Sequence, residues 1–124
     1  MPSNQMKITV TEDPSGNVQI VPDSNDFDLT GLGTGNPPGV GAPIQWLIDP
    51  DSTNGWYFSS TGGISITNPS PSGKFSTPTA ESGARPRVVN CNRLAADSLT
   101  YKYSISVTNG TKTQTLDPNI INQP

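Results

Sequence analysis

Histidine is absent from the 124 residues, and cysteine occurs once, at Cys91. Without imidazole the chain lacks the usual general base, the Ser-His and Cys-His nucleophile pairs and the commonest transition-metal ligand. A blue-copper centre needs two histidines beside its cysteine, so copper is excluded, and specific zinc or iron sites are not expected either. A lone cysteine permits no internal disulfide, which favours a reducing compartment, and the cytoplasm is the expected location. Glutamate is scarce too, present only as Glu12 and Glu81. Asp13, Asp49 and Asp117 each precede proline, where aspartate serves as a turn former. No carboxylate pair is therefore set up for acid–base work of the glycosidase kind. Neither an enzymatic activity nor a cofactor is expected.

Positive charge is sparse: seven Lys and Arg against ten Asp and Glu give a formal net charge of −3. Nucleic-acid binding needs clustered cations to displace counterions, and these are scattered. The densest group, Arg85, Arg87 and Arg93, reads as three solvated loop cations. Long apolar runs are missing as well. Nothing approaches the roughly 20 apolar residues of a membrane span. The start, Met1-Pro2-Ser3-Asn4-Gln5-Met6-Lys7, has no apolar core of a signal peptide, export stays open should a signal segment have been removed, and no membrane partner is expected.

What the chain does have is glycine and proline, 12 and 13 residues, interleaved with short alternating runs. That balance disfavours helices, because inside one Pro costs about 3 kcal/mol and Gly about 1 kcal/mol. Leu99, Tyr101, Tyr103, Ile105 and Val107 alternate with polar residues, the mark of a strand with one buried face. Asn109-Gly110 follows and suits a two-residue type I′ turn. That turn would set Tyr103 opposite Leu116 and Val107 opposite Lys112. Met6, Ile8 and Val10 alternate likewise, and Asp13-Pro14-Ser15-Gly16 turns them into Val18 and Ile20. Ile44, Trp46 and Ile48 form a third run. Weaker strand candidates lie at Trp56–Phe58, Ile64–Ile66, around Phe75 and at Arg87–Val89; only Arg93–Asp97 suits a helical turn. The expectation is one all-β domain over residues 1–124, a β-sandwich of about seven to eight antiparallel strands. The Gly/Pro-rich stretch at 31–43 is read as a mobile or connecting loop, with a binding role as the alternative, since Pro and Gly do not suit a central strand.

Two segments crowd side-chain oxygens: Asp23, Asn25, Asp26 and Asp28, then Asp49 and Asp51. Calcium takes six to eight oxygen ligands, so these are the candidates for a weak calcium site. The second segment departs from an EF-hand loop, since its glycine, Gly55, falls one place late and Ser60 stands where a bidentate acid belongs. Asx-turns in solvent explain both segments without a cation. Trp46 is assigned to the core. Trp56 and Tyr57, adjacent in sequence, must face opposite ways on a strand, so one of them is a candidate stacking platform for a sugar or protein. Cys91 is read as a small buried filler. Asn109-Gly110-Thr111 fits the N-glycosylation acceptor pattern, although turn chemistry accounts for it more simply.

The second half resembles a group of small bacterial proteins, the DP-EP family. The likeness runs over residues 44–122. It rests on Ile44-Gln45-Trp46, Gly55-Trp56-Tyr57-Phe58, Gly63-Ile64, Asn92, the run from Tyr101 to Val107, and Leu116-Asp117-Pro118-Asn119-Ile120-Ile121-Asn122. It implies an immunoglobulin-like or cupredoxin-like sandwich and carries over no catalytic residues. Cys91 departs from the polar residue favoured there, which weakens any shared role for that position. A full β core without chemistry points to a non-enzymatic structural or protein-interaction module. The alternative is a small ligand-binding module for calcium or a glycan, using the acidic loops and Trp56/Tyr57.

Overall fold

A computed structural model describes residues 4–30, 42–49, 55–59 and 63–122. Eleven strands and no helix are found among them. In chain order they are β1 (Gln5–Glu12), β2 (Val18–Pro22), β3 (Asp26–Asp28), β4 (Ala42–Ile48), β5 (Tyr57–Phe58), β6 (Ile64–Asn68), β7 (Thr79–Ala80), β8 (Val88–Arg93), β9 (Thr100–Thr108), β10 (Thr113–Leu116) and β11 (Asn119–Ile121). They form a sandwich of two sheets. The first has the order β2-β1-β4-β8-β7. In the second, β9 is the spine, with β10 and β11 along one edge and β5 and β6 along the other; β3 lies outside β11.

The all-β sandwich expected from the alternation is present. Segments of two or three residues, β3, β5, β7 and β11, raise the strand count above seven or eight. Two pairings, β1 with β4 and β11 with β3, are parallel. The alternating runs supply the inner faces: Met6, Ile8 and Val10 of β1, Ile44, Trp46 and Ile48 of β4, and Tyr101, Tyr103, Ile105 and Val107 of β9 are all buried. Trp46 sits between the sheets, its ring 5.5 Å from that of Phe27, edge-on, and 5.5 Å from that of Tyr103. Edge-to-face pairs contribute about 0.5–1.5 kcal/mol beyond the area they bury.

Several local expectations are corrected. The β9–β10 hairpin forms, but its register is shifted by two residues, so that Leu116 faces Ile105 and Gln114 faces Val107. The reason lies in Asn109. Its backbone does not enter the left-handed region, whereas Gly110 does, at φ +92°. The Asn109 side-chain oxygen instead accepts the N–H groups of Thr111, at 2.9 Å, and Lys112, at 2.7 Å. The two-residue loop has moved one place to Gly110-Thr111, closed by the Asn109 N–H on Lys112 O at 3.2 Å and braced by the Asx contact, and because the slip is even the inward face is kept. Leu99 is 49% exposed rather than inward. Ser98 takes φ +66°, and Asp97 accepts the Leu99 N–H at 2.9 Å, so the chain bends before β9 begins. Around Phe75 there is one bridge to Arg93 rather than a strand. The segment Arg93–Asp97 makes no helical turn.

Of the loop expected at 31–43, residues 31–41 lie outside the described residues, but Ala42 and Pro43 belong to β4. Ile48 donates its N–H to Arg87 O across the β4–β8 ladder. The alternation of that ladder turns the Pro43 nitrogen the other way, toward β1, which starts opposite Gln45 and does not reach it. Pro43 thus removes no ladder bond.

The largest correction concerns Arg93. It is fully buried, on the inward face of β8 with Val89 and Cys91. Its Nε donates to Asn122 Oδ1 at 2.7 Å and its Nη1 to Leu29 O at 2.8 Å. Asn122, also fully buried, donates from Nδ2 to Ala95 O at 2.9 Å and to Asp97 Oδ1 at 3.1 Å. The Tyr101 hydroxyl donates to the other Asp97 oxygen. Burial pulls the guanidinium below its ordinary value, and the Asp97 charge opposes that shift.

Burial also pushes the Tyr103 hydroxyl up to about 12. The Trp46 N–H opposes this shift, but neither atom meets hydrogen-bond geometry, and both remain without a partner. Tyr101 is raised as well, by burial and then by Asp97. A tyrosine whose folded value lies above its unfolded one, about 10, contributes stability below that pH and loses it as pH rises through the folded value. Unfolding free energy is therefore expected to begin falling from about pH 8.5, where the unfolded Cys91 thiol ionises and the buried one does not, and to fall by roughly a further 1.4 kcal/mol per pH unit for each of the two tyrosines above about pH 10. Urea titrations at increasing pH, followed with tyrosinate absorbance, check this. Tyr103 ionising near pH 10 in folded protein would contradict it.

Candidate interaction edge

A sandwich has four sheet edges, and unpaired edge strands invite pairing with other chains unless something blunts them. Three edge strands here are blunted, whereas β10 (Thr-Gln-Thr-Leu), on the same side of β9 as β11, is a four-residue edge with neither charge nor proline. On β2, Asp13 donates its N–H to Asn17 O and Asp23 to Lys7 O, so the ladder turns Ile20 and Pro22 outward. Pro22 offers no N–H on that open side. β7 is only two residues long. β3 is three residues long, and two of them are aspartates.

The edge at β6 differs from all of these in having an uncharged groove beside it. β6 runs Ile-Ser-Ile-Thr-Asn, with neither charge nor proline. Ser106 donates its N–H to Gly63 O at 2.8 Å, which fixes the phase of the β6–β9 ladder. Ser65 is then a bonded partner of Ser104, and the N–H and C=O groups of Ile64 and Ile66 face away from β9. No described residue pairs with them. The ladder stays regular as far as Ile66, beyond which the register shifts. Gly63 starts the strand where a Cβ would come within 2.8 Å of Ser59 O, so glycine is required by the close approach.

A groove of about 470 Å³ runs beside this edge. Ile64, Ile66, Phe75, Pro71 and Pro78 give its apolar lining, serine and threonine give the rest, and no ionisable side chain lines it. Its far wall hangs on β8: Ser76 donates its N–H to Asn92 O at 2.9 Å, and Leu94 to Lys74 O at 2.7 Å. Phe75 is buried, packed edge-on against Tyr101 with ring centroids 5.2 Å apart. The volume lies in the range of ordinary ligand sites, but the lining offers no acid, base or charged nucleophile.

The residues singled out in the sequence lie elsewhere. Asp23, Asn25, Asp26 and Asp28 are exposed, and Asp26 and Asp28 belong to β3 rather than to a loop. Asn119 donates to Asp26 at 3.1 Å. The N–H and hydroxyl of Thr30 donate to Asp28 and hold its carboxyl below the usual range. Asp49 follows β4 in the other sheet, 3.9 Å from Lys7, and Asp51 lies outside the described residues. Among the described residues, no three His, Cys, Asp or Glu side chains come together as a metal cluster. Trp56 is buried at 2% exposure, which corrects its reading as a stacking candidate. It shares the inward face with Phe58, leaving Tyr57 half-buried on the outer face with the Arg85 guanidinium 5.9 Å from its ring. No protein-family model matches the chain, and no curated protein matches it.

Ile64–Ile66 is legible in the sequence as a strand, but its position at an edge is not, because pairing partners are set by topology. Cys91 is the buried filler expected: its Sγ donates to Ser76 O at 3.0 Å behind the groove wall, and burial raises its thiol. A buried, protonated thiol is inert. Ellman's reagent should therefore label Cys91 only as the protein unfolds, at the unfolding rate. Stoichiometric labelling of native protein within seconds would contradict the packing of this wall.

Proposed function

We propose that this protein is a non-enzymatic interaction module that takes up an extended segment of a partner protein along β6. The observation that carries the reading is the backbone of Ile64 and Ile66, which meets no partner among the described residues, on an edge without charge or proline beside an uncharged groove. Strand addition draws affinity from main-chain hydrogen bonds and specificity from pockets under alternate side chains. The segment it favours is uncharged, with apolar side chains at every second position. A charge carried into this groove would meet no counter-charge and would be costly to desolvate.

A small-ligand module is the weaker reading, since Tyr57 alone of the aromatic pair reaches solvent. Residues that carry the likeness to the DP-EP proteins, among them Trp46, Trp56, Tyr101, Tyr103, Ile120 and Asn122, are buried. A kinship drawn from them would be one of fold, and the edge strand beside Ile64 contributes little to it.

The test is binding of partner segments recovered from the native host, remeasured with variants. Ser65→Lys puts a charge at the centre of the edge and is expected to weaken binding by at least about tenfold. Tyr57→Ala, on the outer face, should leave affinity unchanged. Amide shifts of Ile64 and Ile66 on titration locate the contact. Binding that survives Ser65→Lys and is lost with Tyr57→Ala would reject this edge.

A further inference from the structure

The β9–β10 hairpin tip brings together the parts of a reaction the chain can perform on itself. Asn109 is half-buried, and its Oδ1 receives two backbone N–H groups, from Thr111 at 2.9 Å and Lys112 at 2.7 Å. Its Nδ2 makes no hydrogen bond to any described residue. The next N–H, that of Gly110, donates to Thr108 Oγ1 at 3.1 Å. Gly110 is exposed, sits at φ +92°, and has no Cβ to keep its nitrogen from the preceding side chain.

We infer that Asn109-Gly110 is a self-modification site, at which the folded turn promotes attack of the Gly110 nitrogen on Cγ of Asn109. The new N–C bond forms and the Cγ–Nδ2 bond breaks. Ammonia leaves with the proton that Gly110 gives up, and a five-membered cyclic imide remains. Water then opens the imide at either carbonyl, leaving aspartate or isoaspartate at 109. Only water is consumed, and no electron is transferred.

The structure bears on each stage. In the tetrahedral intermediate, negative charge develops on Oδ1, where two backbone donors are already aimed. The Thr108 hydroxyl stands where the Gly110 proton departs, and it hands its own hydrogen bond to Lys112 O at 2.8 Å. Nucleophile and electrophile belong to adjacent residues in a fixed turn, so little orientation remains to be lost. Opening to isoaspartate lengthens the main chain by one methylene inside the turn. Lys112, which bonds Glu12 at 2.7 Å and Gly16 O at 3.0 Å, then loses the geometry that ties this tip to the β1–β2 hairpin.

The experiment incubates native protein and urea-unfolded protein side by side in mildly alkaline buffer at physiological temperature. Intact mass follows the gain of about one mass unit, and peptide mapping separates Asn109 from the other Asn-Gly pair, Asn54-Gly55. Conversion at Asn109 is expected about tenfold faster in the native state, the order for well-placed donors on an exposed turn. Thr108→Val should remove most of that advantage and Thr108→Ser restore it, while all three proteins convert alike when unfolded. A native rate at or below the unfolded rate would overturn the inference. So would a Thr108→Val protein, shown folded by its melting curve, that converts as fast as the parent.

Discussion

One guanidinium has been taken out of water, and one end of the sandwich is arranged around it. Removing such a group from water costs several kcal/mol unless its donors are met. Arg93 meets them with the Asn122 side chain and the Leu29 carbonyl, and Asn122 passes the contact on to Asp97. Those partners come from three places: the end of β3, the chain after β11, and the turn before β9. A hydrophobic side chain at 93 could fill the space, but it could not tie these three segments of the second sheet to β8 of the first.

The same residue links fold to surface. Asn92 and Leu94, its neighbours in sequence, carry the backbone bonds that hold residues 74–76 as the wall of the groove. Phe75 in that wall packs on Tyr101, whose hydroxyl returns to Asp97. The groove beside β6 is therefore held from behind by a fully bonded polar network. In front of it lies an edge whose outward polar groups meet no partner among the described residues. Polar groups are met inside the hub, whereas those of Ile64 and Ile66 at the edge meet no partner among the described residues, and the proposed role as a recognition surface rests on that contrast.

Much of this was legible in the chain, and the failures share a cause. Period-two runs such as Met6–Val10, Ile44–Ile48 and Tyr101–Val107 showed their buried faces directly, because strand geometry ties sequence parity to side. Trp46 was assigned to the core by that rule. The same parity, extended two residues from Val89 through Cys91, reaches Arg93. A charge at that position was read as a loop cation because sequence shows the cost of burying it but not the partners that offset it, 29 and 64 residues away. The hairpin register failed for a local reason: Asn109 serves its turn through its side chain rather than through a left-handed backbone. For the candidate edge, the strand was visible and the absence of a neighbour was not, since openness belongs to topology.

The hub is tested most directly by the equilibrium unfolding of Arg93→Met in urea. Methionine keeps the volume but leaves the Leu29 carbonyl and Asn122 Oδ1 without these donors. A loss of about 3–5 kcal/mol is expected, the range for breaking a buried charged network from one side, with faster amide exchange at Ser76 and Leu94 as the groove wall loosens. A loss below about 1 kcal/mol with exchange unchanged there would show that the sandwich and its groove do not depend on Arg93.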